Sequence, residues 1–340
     1  MKLASRSRPV LLLGLAGLVA LAAAGCSSSS NASSGSATKV AIVAYSVPKP
    51  AYDALTAAFG KTAAGSGVRF TASYGASGDQ SRAIANGQRA DYVAFSIQPD
   101  LTRLVPSFVA SGWDAGTTRG LVSDSVVVIA VRPGNPKQIT GWDDLVKPGI
   151  KIVTPDPGSS GSAKWNLLAA YAHGLANGGD DASAQAYLKK FAANIVSKPE
   201  SGSKATQTFL AGTGDVLISY ENEAIAARQK GQRLDYLVPG DTLLIENPAA
   251  VTVRAPRAAK DFLAYVESAA GQQVFASKGY RPVLPGVSVG SVTGANDPAN
   301  PFPTPKTLRT IADLGGWSAA NSKYFDKTDG IITKILAGSG

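Results

Sequence analysis

Ile150-Lys151-Ile152-Val153-Thr154-Pro155 runs into Asp156-Pro157-Gly158-Ser159-Ser160-Gly161-Ser162, and that into Ala163-Lys164-Trp165-Asn166-Leu167-Leu168. The first block is a short β-branched strand. The last begins a helix whose apolar face carries Trp165, Leu168 and Tyr171. The small residues between them form a turn that delivers the end of a strand to the N-terminus of a helix. A turn of this kind exposes backbone N–H groups with no intrahelical partner and the positive end of the helix dipole. Gly lets an anion approach the backbone closely, and Ser adds a hydroxyl donor.

The same grammar extends outward in both directions. Val40–Ala44 and Val68–Ser73 read as strands, separated by a helix over Pro50–Phe59. Gly75-Ala76-Ser77-Gly78 then turns into a helix beginning near Asp79. Asp91–Ser96 and Ser125–Val131 are further strands, and Thr140-Gly141-Trp142-Asp143 has the form of a capping box with Asp in place of Glu. Downstream, Ser183–Ala193 is helical, and Ser201-Gly202-Ser203-Lys204 opens a helix ending near Gly212. Asp215–Tyr220 is a strand, followed by a helix over Glu223–Lys230. Short apolar strands alternating with amphipathic helices define an α/β fold with parallel strands.

The N-terminus fixes the compartment. Lys2, Arg6 and Arg8 precede an apolar stretch from Pro9 to Ala24, too short for a comfortable membrane span. It ends in Ala23-Ala24-Gly25-Cys26, the pattern of a lipoprotein signal peptide over 1–25 with Cys26 acylated, although Ala23 stands where Leu is usual. Residues 26–38 are Ser, Gly, Ala, Asn and a final Thr with Cys26 at their head, a flexible tether. Cys26 is the only cysteine, which excludes an internal disulfide. The formal charge of +9 falls to about +6 without Lys2, Arg6 and Arg8. That charge is spread along the chain without Arg-rich, aromatic-interleaved runs, so no nucleic-acid stripe is expected.

Three small-residue turns carry the chemistry: Ser77, Ser160–Ser162 and Ser201–Lys204. They either converge on one anion or are ordinary Ser caps of unrelated helices. Other chemistries are poorly supplied. His173 is the only histidine and falls near a helix C-terminus, as a capping or surface residue. There is no His/Cys metal set, no Cys–His pair and no P-loop, so no metal or cofactor is expected. Asp143-Asp144 and Glu221-x-Glu223 read as helix-start electrostatics, and Trp142, Trp165 and Trp317 as core.

Several segments resemble, in the same order, the periplasmic sulfate-binding proteins of ABC transporters. They are Asp143-Asp144-Leu145-Val146-Lys147-Pro148-Gly149, Val153-Thr154-Pro155-Asp156-Pro157, Ala163-Lys164-Trp165-Asn166, the run Gly214–Ala224, Tyr280-Arg281-Pro282 and Gly315-Gly316-Trp317. The similarity spans about Val40 to Ile335. It implies a two-lobe periplasmic-binding-protein fold of type II with the ligand in the interlobe cleft. One lobe is then 39–124 with part of 221–340, the other 125–220, and the side taken by 250–340 is open.

The resemblance also implies a monomeric, lipid-anchored, non-enzymatic carrier on the outer face of a bacterial membrane, passing sulfate or thiosulfate to an ABC permease. Carried over by motif, the ligand-binding residues are Ser46, Ser77, Ser160, Gly161, Ser162, Ser203 and Tyr220, with Gly78, Asp79 and Lys204 nearby. Three positions depart from the family pattern: Ser46 for an Asp, Tyr220 for an indole donor, and Asp79 for a basic residue. A carboxylate such as Asp79 in the site would favour phosphate, which keeps a proton near neutral pH; pointing outward, it only complements the helix dipole. The rivals are a phosphate or molybdate carrier and, from another class, an envelope serine phosphatase or esterase.

Overall fold

Thr38–Tyr45 (β1) is buried along most of its length, as a strand flanked on both sides must be. In the computed structural model, which describes residues 37–338, it pairs in parallel with β2 (Val68–Gly75) and β3 (Tyr92–Ala94). The expected signal peptide, Cys26 and nearly all of the tether lie outside the described residues. Helix α1 (Lys49–Phe59) covers this end of the sheet by burying Ala51, Tyr52, Leu55 and Phe59, a helical spacing. Helices α2 (Ser77–Ala85) and α3 (Gln98–Thr102) follow β2 and β3.

The strand β4 (Leu121–Val131) crosses the molecule. Its first half pairs antiparallel with β9 (Asp241–Val251), and its second half with β7 (Val216–Tyr220) and β8 (Asp235–Leu237). The far end holds β5 (Ile152–Val153) and β6 (Ile195–Ser197), parallel to β7 and to each other. Around it lie α4 (Gly161–Gly178), α5 (Asp181–Ala193), α6 (Gly202–Leu210) and α7 (Glu221–Gln229). Among the described residues the strand order is β2-β1-β3-β9-β4-β7-β5-β6, with β8 on β4 and β10 (Thr307–Arg309) on β9.

The return of the chain departs from the expected boundary at 220–221. Helix α7 begins there and stays on the far end, where Ala224, Ile225 and Ala227 pack with Val126, Val128 and Ala130 of β4. It is β9 that leads back, pairing Ala249–Val251 with β3. After it, α8 (Arg257–Val266) and α9 (Ala269–Ser277) pack on α1. There Phe262 meets Phe59, Phe70 and Tyr92 edge-on or tilted. Fully burying such a ring stabilises by about 2–3 kcal/mol. The helices α10 (Gly316–Phe325) and α11 (Ile331–Ala337) take the other side, α11 against α5. Residues 250–340 are thus divided between the two ends. No helix of the described residues is long and apolar enough to cross a membrane.

Two local expectations are corrected. Trp142–Val146 is a short 3-10 turn, and the capping carboxylate is Asp144, which accepts from Thr140 N–H (2.6 Å) and Thr140 Oγ (2.8 Å). This leaves Asp143 to His173. His173 is buried, with Nε2 2.9 Å from Asp143 and Nδ1 2.9 Å from Asp241. It clamps the turn and the start of β9 to α4, and is neither a cap nor a surface group.

Candidate functional site

The three small-residue turns differ in what their serines do. Ser201 is an ordinary N-cap, accepting from Lys204 N–H. Ser160 is the N-cap residue of α4 by position but makes no side-chain capping bond, and the N-cap of α2 is Ala76, which places Ser77 at N1. Capping therefore accounts for only one of the three. The amides of Ser77, Gly161, Ser162, Gly202 and Ser203 all occupy the first two positions of their helices, where the helix provides no acceptor.

These starts meet. A Cβ on Gly161 would lie 2.8 Å from Ser96 Cβ and Oγ, and one on Gly202 would lie 2.9 Å from Val47 Cγ2 and 3.0 Å from Ser162 Oγ. Both approaches are closer than a side chain tolerates, so only glycine allows these helix starts to come so near. Gly78 N–H donates to Ser159 O (3.0 Å), joining α2 to the turn before α4. Ser203 Oγ donates to Ser46 Oγ (2.5 Å), joining α6 to the end of β1.

Ser96, which the sequence did not single out, is the hub. Its N–H donates to Ser77 Oγ (3.0 Å) and its Oγ shares a hydrogen bond with Tyr220 OH (2.7 Å). Its carbonyl accepts from Trp165 Nε1 (2.8 Å) and Asn247 Nδ2 (3.1 Å). Tyr220 also bonds Ser162, and complete burial pushes its phenol well above the ordinary range against these two bonds, so it keeps its proton. Ser46, Ser203, Gly202, Ser162, Tyr220, Ser96 and Ser77 form one continuous chain of contacts.

Ser77 is used differently from the expectation. Its hydroxyl proton goes to Asp100 Oδ2 (2.7 Å), a buried carboxylate also held by Arg103 (3.0 Å). With its hydroxyl proton committed to Asp100, Ser77 keeps an N1 amide for which the helix provides no acceptor. Asp100, Arg103 and Ser96 were missed because nothing in Ser96-Ile97-Gln98-Pro99-Asp100 marks them before the fold brings them to Ser77. Trp165 was read as core; it is buried, but its indole N–H also orients Ser96.

Of the charged residues near these turns, Asp100 and Glu223 are buried, whereas Asp79 and Lys204 stand at the surface. Asp79 is an exposed residue of the first turn of α2 and pairs with Arg82, whose guanidinium also reaches Gly158 O (3.5 Å). Lys204 is exposed and, with Ser46, Asp79 and Ser203, lines a cavity of about 630 Å³ that also includes Lys49 and Lys230. Glu223 is buried, and burial raises its pKa although Ser219 Oγ donates to it (2.8 Å). The arrangement is a junction of helix N-termini and neutral donors, suited to stabilising an anion by dipoles.

The profile described as "Bacterial extracellular solute-binding protein" matches residues 40–281. The sulfate-binding protein of Synechococcus elongatus is 34% identical over 84% of this chain and 83% of its own length. The thiosulfate-binding protein of Pseudomonas aeruginosa is 29% identical over 83% of this chain and 88% of its own. Among solved structures, the sulfate-binding protein SubI from Mycobacterium tuberculosis superposes with a TM-score of 0.80. It is 44% identical, over 85% of this chain and all of that one. The chain belongs to the bacterial extracellular solute-binding proteins, within the family of the sulfate-binding proteins.

Proposed function

We propose that this protein captures sulfate, with thiosulfate as a second ligand of the same shape and charge, and hands it to an ABC permease. In this reading it is a monomeric lipoprotein held at the outer face of the cell membrane through Cys26, and it makes or breaks no bond. The observation that carries the proposal is the contact chain from Ser46 through Ser203, Gly202, Ser162, Tyr220 and Ser96 to Ser77. It gathers the starts of α2, α4 and α6 and the Tyr220 phenol in one place. Proposed ligand donors are the amides of Ser77, Gly161, Ser162 and Ser203 and the hydroxyls of Ser46, Ser160 and Tyr220, with Gly78 and Lys204 at the margin. The two lobes meet on β4 and β9 and close over the anion.

The Asp79–Arg82 pair supports a proton-free dianion over phosphate, because the carboxylate is occupied at the surface and does not need a ligand proton. Calorimetric titration with sodium sulfate and sodium phosphate tests the assignment. Sulfate binding at least tenfold tighter than phosphate is expected; phosphate binding with none for sulfate would overturn the ligand. Sustained turnover of a phosphate or sulfate ester by the purified protein would overturn the carrier itself.

A further inference from the structure

Ser46 and Ser203 belong to two places at once. They close one end of the contact chain at the helix starts, and they also line the cavity of about 630 Å³. That volume lies within the range of small-molecule sites, about 300–1,000 Å³, and is far more than a single tetrahedral oxyanion fills. Two helices build its wall on one side. From α6 come Ser203, Thr206, Gln207 and Leu210, and from α7 come Glu223, Ala226, Ala227 and Lys230. Both sets follow the spacing of one helical face, so the cavity runs as a groove along two parallel stripes. Lys49, Tyr74 and Gln80, from α1, β2 and α2, line it from the other half of the molecule.

One group in this wall lacks a partner. Thr206 is 7% exposed, and its Oγ1 is buried without a hydrogen bond. It leans toward Glu223 but makes no bond of ordinary geometry, and Glu223 is already served by Ser219 Oγ (2.8 Å). An unmet buried hydroxyl costs about 1–3 kcal/mol, which a ligand supplying the bond would recover. The charges of the groove balance. Lys49 is paired with Asp53 (2.6 Å) and Asp79 with Arg82, which leaves Lys204 and Lys230 against Glu200 and Glu223. The side chains of Gln207 and Gln232 make no hydrogen bond among the described residues. A balanced wall of amides and a hydroxyl favours a neutral group that both donates and accepts, not a second ion.

We propose that the anion site also takes an organic sulfonate with a short hydroxylated substituent, its SO3 head at the helix starts and its substituent in this groove. This rests on the anion-carrier reading above. The route between the two runs past Ser46 and Ser203, whose mutual hydrogen bond gives way to the substituent. A sulfonate has one oxygen and one negative charge fewer than sulfate, so it binds more weakly than sulfate does. Its hydroxyl offsets part of that loss by meeting Thr206 Oγ1 and the glutamine amides. No bond of the ligand is made or broken.

The test is calorimetric titration of the purified protein with sodium 2-hydroxyethanesulfonate, with sodium ethanesulfonate, which lacks only the hydroxyl, and with sodium sulfate. The hydroxylated sulfonate should bind at one site, be displaced by sulfate, and bind at least about fivefold tighter than ethanesulfonate, the worth of one net hydrogen bond. Thr206→Val keeps the shape of the side chain and removes the hydroxyl. It should shrink that preference to below about twofold and leave sulfate affinity within about twofold of the wild type. Sulfate binding without sulfonate binding overturns the proposal alone. So does sulfonate binding that sulfate does not displace, a missing hydroxyl preference, or a preference that survives Thr206→Val. An equal loss of sulfate affinity in Thr206→Val also overturns it, by making Thr206 structural. If sulfate itself does not bind, the anion assignment fails and this proposal with it. Should Thr206→Val not fold, Gln207→Ala at an exposed position decides: an unchanged preference overturns the proposal.

Discussion

Ser77 gives its hydroxyl proton to Asp100 across 2.7 Å and accepts the amide proton of Ser96 at 3.0 Å, so a single side chain ties α2 to α3 and to the end of β3. Ser77→Ala leaves a buried carboxylate oxygen and a buried N–H without that partner, at about 1–3 kcal/mol each. Sulfate affinity is expected to fall roughly 10- to 100-fold, measured by calorimetry. Asp100→Asn should cost a similar amount. Because the two residues act as a unit, the double variant should fall well short of the sum; strict additivity would show that the bond does not organise the site.

Gly161 and Gly202 are points of closest approach, and an added Cβ meets Ser96 at 2.8 Å and Val47 at 2.9 Å. Alanine at either position removes no donor. Gly161→Ala and Gly202→Ala should therefore hold the halves apart, weakening sulfate binding by about tenfold or more, in the range of a 1–3 kcal/mol overpacking penalty. The melting temperature without ligand should change little, while the increment produced by sulfate shrinks. Full ligand-induced stabilisation in both variants would rule out the steric argument.

Tyr220→Phe keeps the buried ring and deletes only the hydroxyl that joins Ser96 and Ser162. Loss of one net hydrogen bond corresponds to about 1 kcal/mol, or about fivefold in affinity. Because the phenol holds its proton throughout the ordinary range, the ratio of wild-type to variant affinity should not vary between about pH 6 and 9. A ratio that changes with pH would mean that Tyr220 titrates.

Burial works against the charged form of His173, but its bonds to Asp241 and Asp143 outweigh burial and the imidazole is raised. A raised histidine contributes stability that is fully present below its unfolded pKa of about 6.5 and is lost as pH rises through the folded value. Melting temperatures across that window should fall more steeply for the wild type than for His173→Gln. Parallel curves would remove the clamp from the account.

Glu221 is wholly buried against Arg281. Arg281→Met strands that carboxylate, a loss of about 3–5 kcal/mol for a broken buried pair. Urea unfolding should show the midpoint falling with little change in slope. A change below about 1 kcal/mol would mean that Glu221 takes a proton in compensation.

The strand-to-turn-to-helix grammar was legible because its signals are local. The apolar run Val40–Ala44, the Ser/Gly turns and the helical spacing of Tyr52, Leu55 and Phe59 lie within a few residues of one another. The resemblance supplied which turns belong together. What stayed hidden was long-range: Asp100 under Ser77, Asn247 on Ser96 and Asp241 on His173 have partners that no local pattern announces. The capping box illustrates the margin, since Thr140 is capped from Asp144, one position beyond the expected Asp143, and the spare carboxylate went to a histidine on another helix.

The placement of β9 between β3 and β4 has a kinetic consequence. Asn247 reaches Ser96 from 151 residues downstream, and β3 finds its second neighbour only in Ala249–Val251. The N-terminal strands can pair among themselves as they are made, yet their sheet keeps an open edge until residue 251 is available. Closing so large a loop costs entropy before the contact repays it, so final docking of β9 should be late and slow relative to the local α/β units. Until then the edge of β3 that β9 will occupy is open to pairing with a neighbour.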